Sequence, residues 1–191
     1  MRKRVQSARF WCAAVAAATI LAAAVLGQLG ASAQAGGASP PPASPPRADI
    51  RFTETIYIGK PAADVWKAIT DKKVVDRYFM APLAEIDLKP GGVIRYATAK
   101  STVVSGAILQ VVPNKTLKHT FRMAGLDDDP VTTVTYDLDD MGSMCALTVT
   151  HAGFPSENAT YGHIAFGWPW MLSRMKTLLE TGHALAWPRG K

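Results

Sequence analysis

Three turn signals cut the middle of the chain into short segments, and this punctuation constrains the fold more than any other feature. Lys89-Pro90-Gly91-Gly92 separates 84–88 from 93–99, and Pro113-Asn114-Lys115 separates 102–112 from 116–123. Asp140-Met141-Gly142 separates 131–139 from 143–151. Pro presets its own backbone angle and Gly and Asn tolerate left-handed ones, so a chain reverses readily at such sites. Apolar residues recur at alternate positions within the flanking segments, the period of a strand that buries one face. Strands joined by so few residues pair with their sequence neighbours and run antiparallel. The middle of the chain is therefore expected to form an antiparallel sheet built from successive hairpins.

On the N-terminal side, 51–58 reads as a further strand with Phe52, Ile56 and Ile58 on one face. Gly59-Lys60-Pro61 ends it, and Pro suits the opening of a helix. Val65, Trp66 and Ile69 then form one apolar stripe over a helix at 62–70. Asp71 is placed to cap a second short helix through residue 79, with Val74, Val75, Tyr78 and Phe79 on its buried side. On the C-terminal side the period lengthens. Ile164, Trp168, Met171, Leu172, Met175, Leu178 and Leu179 mark an amphipathic helix over 158–183. Lys176 and Glu180 form an i, i+4 pair on its other side, and Gly182 is a C-cap. Pro169 lacks an amide hydrogen, so a kink or restart is expected near Gly167 to Pro169.

The first 48 residues have a different character. Arg2, Lys3, Arg4 and Arg9 precede an uncharged, Ala-rich run from 10 to 27, and Ala33-Gln34-Ala35 fits a signal-peptidase site. Residues 1–35 are read as a signal peptide cleaved after Ala35; an uncleaved anchor is the alternative, since eighteen apolar residues approach a membrane span. Either way the positive-inside rule places the remainder outside the cytoplasm, in the periplasm or secreted. Only the uncleaved form would be held at the membrane. Residues 36–48 hold five prolines and no bulky apolar residue, the composition of an extended linker. The folded domain is expected over 49–187. Hydrophobic residues make up 48% and charged residues 19% of the chain, which excludes a disordered polyelectrolyte. Of the net charge of +6, the leader supplies +4, so the rest is close to neutral and nothing favours a nucleic-acid partner. After cleavage Cys145 is the single cysteine, flanked like a buried strand residue, so no internal disulfide forms.

Several stretches, in this order, resemble a known family. They are Pro61-Ala62-Ala63-Asp64-Val65-Trp66-Lys67-Ala68-Ile69-Thr70-Asp71, the Pro90-Gly91-Gly92 turn, Gly106-Ala107-Ile108-Leu109-Gln110-Val111-Val112-Pro113-Asn114, and Leu147-Thr148-Val149-Thr150-His151-Ala152-Gly153-Phe154. Gly167-Trp168-Pro169-Trp170-Met171-Leu172 and Leu178-Leu179-Glu180-Thr181-Gly182 complete them. The chain resembles the START-like (SRPBCC) superfamily, and within it proteins related to the C-terminal domain of the activator of heat-shock-protein ATPase. The resemblance implies an α+β helix-grip fold, in which an antiparallel sheet of six to seven strands wraps a long C-terminal helix, with two short helices after the first strand. It names no single activity, because the superfamily includes lipid carriers, polyketide cyclases, hormone receptors and co-chaperones.

Residue chemistry narrows the choice. His119, His151, His163 and His183 show no short metal-ligand spacing, no Gly-x-Ser-x-Gly elbow is present, and no cofactor motif occurs. Asp127-Asp128-Asp129 lacks an EF-hand continuation and reads as a solvated loop. Asn158-Ala159-Thr160 fits a glycosylation acceptor in a eukaryotic secretory host. The informative feature is polar residues on apolar strand faces. His119 shares a face with Leu117, Phe121 and Met123, Tyr136 with Thr132, Val134 and Leu138, and His151 with Cys145, Leu147 and Val149. If these faces meet the helix stripe, His119, Phe121, Tyr136, Leu147, Val149, His151, Trp168, Met171 and Met175 surround one apolar space. The expected function is extracytoplasmic binding of a small hydrophobic molecule or lipid, without assigned catalytic residues. Two alternatives stand beside it: a cyclase- or hydrolase-like enzyme using His119, Tyr136 or His151, and a co-chaperone-like module with a protein partner. The leader weighs against the latter, because ATP-driven cytosolic partners are absent outside the membrane.

Overall fold

The computed structural model describes residues 50–187. The expected signal peptide, its expected cleavage site and the expected Pro-rich linker lie outside the described residues. β1 (Ile50–Ile58) is followed by α1 (Ala62–Thr70) and α2 (Lys72–Val75). Then come β2 (Leu83–Ile86), β3 (Val93–Ala97), β4 (Thr102–Val112), β5 (Thr116–Met123), β6 (Thr132–Asp140) and β7 (Cys145–Phe154), and the long α3 (Ala159–Thr181). The seven strands form one sheet in the order β1-β7-β6-β5-β4-β3-β2, with every neighbouring pair antiparallel. β2 to β7 thus follow the chain hairpin by hairpin, and β1 closes the far side of β7. This is the helix-grip arrangement.

Alternation sets which face is buried. Leu117, His119 and Phe121 of β5, Thr132, Val134, Tyr136 and Leu138 of β6, and Cys145, Leu147, Val149 and His151 of β7 all face the core. Threonines occupy much of the outer face, and Thr55 and Thr148 hydrogen-bond there across β1 and β7 at 2.8 Å. β-Branched side chains suit a pleated, half-exposed surface. Both sheet edges are partly closed by lysines. Lys72 Nζ donates to the Ala84 carbonyl (2.6 Å) and Lys176 Nζ to the Tyr57 carbonyl (2.8 Å), which blunts edge-to-edge pairing.

α3 buries Ile164, Trp168, Met171, Leu172, Met175 and Leu178 along the expected stripe. Asn158 caps it by accepting from Tyr161 N at 3.0 Å, and Gly182 ends it in the left-handed conformation that a Cβ disfavours. Glu180 accepts from both Lys176 Nζ (2.5 Å) and Gly59 N (2.7 Å), tying the last turn to the end of β1. The helix continues through Pro169 as one element, so the expected restart does not occur.

α2 is also shorter than expected. Asp71 caps it through Lys73 N (2.8 Å), but it ends at Val75 rather than at residue 79. Turns continue past it, with Phe79 N on the Val75 carbonyl at 2.9 Å, and other elements hold this segment. The Asp76 carboxylate accepts from Leu83 N (2.9 Å), and Arg174 of α3 takes the carbonyls of Arg77 (3.5 Å) and Tyr78 (2.8 Å). Tyr78 and Phe79 are nonetheless buried.

The β4–β5 ladder is interrupted beside His119. Ser105 pairs with Arg122 and Ile108 with His119, and a register shift follows between Ile108 and Gln110. Between these pairs Ala107 N donates to the Thr120 hydroxyl (2.8 Å), while the Thr120 carbonyl accepts from the His119 ring (2.7 Å). A Cβ at Gly106 would strike that same carbonyl oxygen, so glycine permits the close approach. Irregularities of this kind bend a strand and help it curve around a helix.

Candidate functional site

The inward faces of β5, β6 and β7 carry a closed hydrogen-bond chain. The Trp168 indole N–H donates to His151 Nδ1 (3.1 Å), so the His151 proton resides on Nε2. Nε2 in turn donates to the Thr132 hydroxyl (2.7 Å), whose own proton reaches the Phe121 carbonyl (3.2 Å). Around it Phe121 meets the His151 ring edge-on at 4.7 Å, and Tyr136 meets Trp168 at 5.8 Å. Burial pushes the His151 imidazole down to about 3, with the neighbouring His119 adding to the effect. Burial likewise lowers His119 to about 4. Both are neutral at neutral pH, unsuited to stabilising an anion.

A pocket of about 690 Å³ opens beside this layer. Its walls are the N-terminal half of α3 (from His163 to Met171), the start of β4 (Thr102 and Val103), and the end of β5 with the following loop (Phe121 to Leu126). Phe79 and Met80 after α2 and Trp187 of the C-terminal tail complete it. The lining is mainly apolar, and Phe166 at the rim is 65% exposed. The volume and character suit a small apolar ligand.

Two polar clamps hold these walls. Asp129 accepts from Thr160 N (2.8 Å) and Thr160 Oγ1 (2.7 Å), fastening the loop after β5 to the first turn of α3. Arg174 is buried in α3 and donates to the carbonyls of Tyr78 and Leu185, while its guanidinium lies 4.5 Å from the centre of the Trp187 ring. One cation thereby fastens the segment leading into Phe79 and the tail that presents Trp187.

Of the nine residues expected around the cavity, Phe121, Trp168 and Met171 line this pocket. His119, Tyr136, Leu147, Val149, His151 and Met175 do not; they lie in the packed core behind its wall. The expectation that His119, Tyr136 and His151 face the cavity directly is corrected accordingly. Their strand faces do point inward, but the aromatic rings of Phe121 and Trp168 intervene. Asp129 is likewise more than part of a solvated loop, since it accepts two hydrogen bonds from Thr160 in the first turn of α3.

Comparison with known proteins places the chain in a family. Residues 60–180 match the family described as Activator of Hsp90 ATPase homolog 1-like protein. The chain belongs to this family. No curated protein matches it. Among solved structures it is similar to CalU16 from Micromonospora echinospora, at 23% identity and a TM-score of 0.58, over 70% of this chain and 78% of that one. It is also similar to PFC0360w, an HSP90 activator from Plasmodium falciparum (19% identity, TM-score 0.59, 68% and 95% covered). A third is protein MLL2253 from Mesorhizobium loti (26% identity, TM-score 0.57, 68% and 97% covered). These likenesses establish the helix-grip fold.

In this Activator of Hsp90 ATPase homolog 1-like chain, sequence reasoning missed the outer pocket. Met80, Leu126, Phe166 and Trp187 belong to turns, an exposed helix face and the tail, where no periodic pattern marks them. Arg174 also escaped notice. The available signal was a basic residue between Met171 and Met175 on an otherwise apolar stripe, which calls for buried partners.

Proposed function

We propose that the chain binds a small hydrophobic or amphipathic molecule in the pocket between α3, β4 and β5, and does so outside the cytoplasm. The observation that carries the reading is the 690 Å³ apolar pocket with Phe121, Trp168 and Met171 at its inner wall. The extracytoplasmic part rests on the basic, apolar and small-residue succession of residues 1–35. The enzymatic alternative loses its support, because the histidines and Tyr136 named for it stand behind the aromatic wall. A protein-binding role, suggested by the likeness to an HSP90 activator from Plasmodium falciparum, draws on the exposed rim at Phe166.

Native mass spectrometry of the exported protein tests the reading, with a retained small molecule as the expected result. Ala124→Trp, which puts a large ring at the pocket loop, is expected to abolish retention without unfolding the domain. Retention unaffected by Ala124→Trp, or no retained or added apolar molecule at all, would overturn the assignment. N-terminal sequencing of the same material should start at Gly36; an intact Met1 in the membrane fraction would instead establish an anchor.

A further inference from the structure

Among the described residues, two buried side-chain atoms lack a hydrogen-bond partner: Nδ2 of Asn158 and Nε2 of His119. The first belongs to the α3 cap, where Asn158 already works through its oxygen. The second is in the core, in a residue only 1% exposed. His119 Nδ1 lies 2.7 Å from the Thr120 carbonyl oxygen, which can only accept, so Nδ1 carries the proton and Nε2 a bare lone pair. A buried acceptor left in this state costs folding free energy and calls for an explanation.

The surrounding polar groups have partners. His151 uses both ring nitrogens, on Trp168 and Thr132, and Tyr78 donates to the Ala68 carbonyl. Tyr96 and Tyr136 interact with each other. The His119 Nε2 lone pair is thus the buried side-chain acceptor without a partner among the described residues. The acceptor is close to the pocket. His119 precedes Phe121 by two residues on the inward face of β5, a step of about 7 Å along a strand. Its ring centre is 6.0 Å from that of Tyr136, which in turn contacts the pocket residue Trp168.

Building on the pocket reading above, we propose that the deep end of the site takes a hydroxyl group. The ligand is an uncharged alcohol or phenol on an apolar body, its O–H donating to His119 Nε2 once the Phe121 and Trp168 rings yield. The chemistry discriminates sharply. An ether presents no donor to the lone pair. A carboxylate presents a negative charge to it, in a layer where both histidines are held neutral by burial. Arg174, the buried cation, is engaged by main-chain carbonyls and Trp187.

The test uses the full chain with 15N-labelled histidine at neutral pH and three probes: 1-dodecanol, its methyl ether and dodecanoate. Dodecanol is expected to move the His119 Nε2 resonance and to bind about tenfold tighter than the ether, the worth of one buried hydrogen bond. His119→Phe should erase that preference while leaving ether affinity within about twofold. His119→Gln, which keeps both a donor for Thr120 and an acceptor, should retain it and serves if the Phe variant does not fold. Equal binding of alcohol and ether with an unmoved resonance overturns the proposal and leaves the apolar pocket standing. So does tighter binding of dodecanoate, or an Nε2 resonance already hydrogen-bonded in the ligand-free protein, which would mean that water occupies it. Failure of all three probes to bind overturns the pocket reading itself.

Discussion

The indole of Trp168 is anchored to His151, nitrogen to nitrogen, at 3.1 Å. The same indole lines the pocket, so a core histidine fixes the orientation of a pocket wall. His151→Phe keeps the approximate bulk but removes an acceptor for Trp168 and a donor to Thr132. The expected cost is about 1–3 kcal/mol of stability, from buried groups left unpaired. Urea denaturation measures it, and a red-shifted Trp emission should accompany it as the ring loses its anchor. An unchanged midpoint would show that the chain of bonds carries no net stability.

The two buried histidines also give the domain a directional response to pH. Folded values of about 4 for His119 and about 3 for His151 lie below the usual value of about 6.5. Between these limits the unfolded chain binds more protons, so stability rises with pH and is lost as pH falls through the window. Each histidine contributes a slope of up to about 1.4 kcal/mol per pH unit. Denaturation between about pH 5 and 6 isolates them from most carboxylates. His151→Phe should reduce the slope by roughly half; a flat profile in the parent protein would mean that the imidazoles are solvated in the native state.

The strands were legible because alternation is local: burial at every second residue of β5, β6 and β7 is written directly in Leu117 to Phe121, Thr132 to Leu138 and Cys145 to His151. Depth was not legible. Periodicity says that His119 and His151 point inward, but whether they meet a cavity or a packed wall depends on rings from other elements. The length of α2 was not legible either, because the segment after Val75 is held by contacts from other elements, Leu83 N on the Asp76 carboxylate and Arg174 on the Tyr78 carbonyl. The pocket's outer walls converge from a turn, a loop, a helix and a tail, and no single window of sequence contains them.

Gly106→Ala tests the interrupted ladder. The added methyl group would collide with the Thr120 carbonyl, which already receives the His119 ring. Backbone, not a flexible side-chain tip, would have to move. Overpacking of this kind costs about 1–3 kcal/mol, with the upper end expected here. A thermal melt superimposing on that of the parent would show that β4 and β5 relax freely at this point.

Trp66→Ala probes the other side of the core. Trp66 lies on the buried stripe of α1 with Val65 and Ile69. Truncating a buried Trp costs about 3–5 kcal/mol. Chemical denaturation should register this loss at a site that does not line the pocket, while the remaining folded fraction binds apolar probes as before. A melting temperature within error of the parent would remove this face of α1 from the core.

Asp129→Asn separates pocket shape from core packing. The Asp129 carboxylate receives the main-chain and hydroxyl donors of Thr160, and these bonds hold its pKa below the usual carboxylate value. The contribution is therefore present above the unfolded value near 4 and lost as pH falls toward the folded one. Asn retains one acceptor oxygen but no charge, so it weakens both the clamp and its interaction with the positive end of the α3 dipole. Because this clamp links the loop through Leu126 to the first turn of α3, its loss should loosen the pocket mouth. The expected signature is a modest drop in melting temperature near neutral pH that disappears in acid, together with faster ligand dissociation. A drop that persists in acid would assign the effect to packing, and an unchanged dissociation rate would separate the loop clamp from access to the pocket.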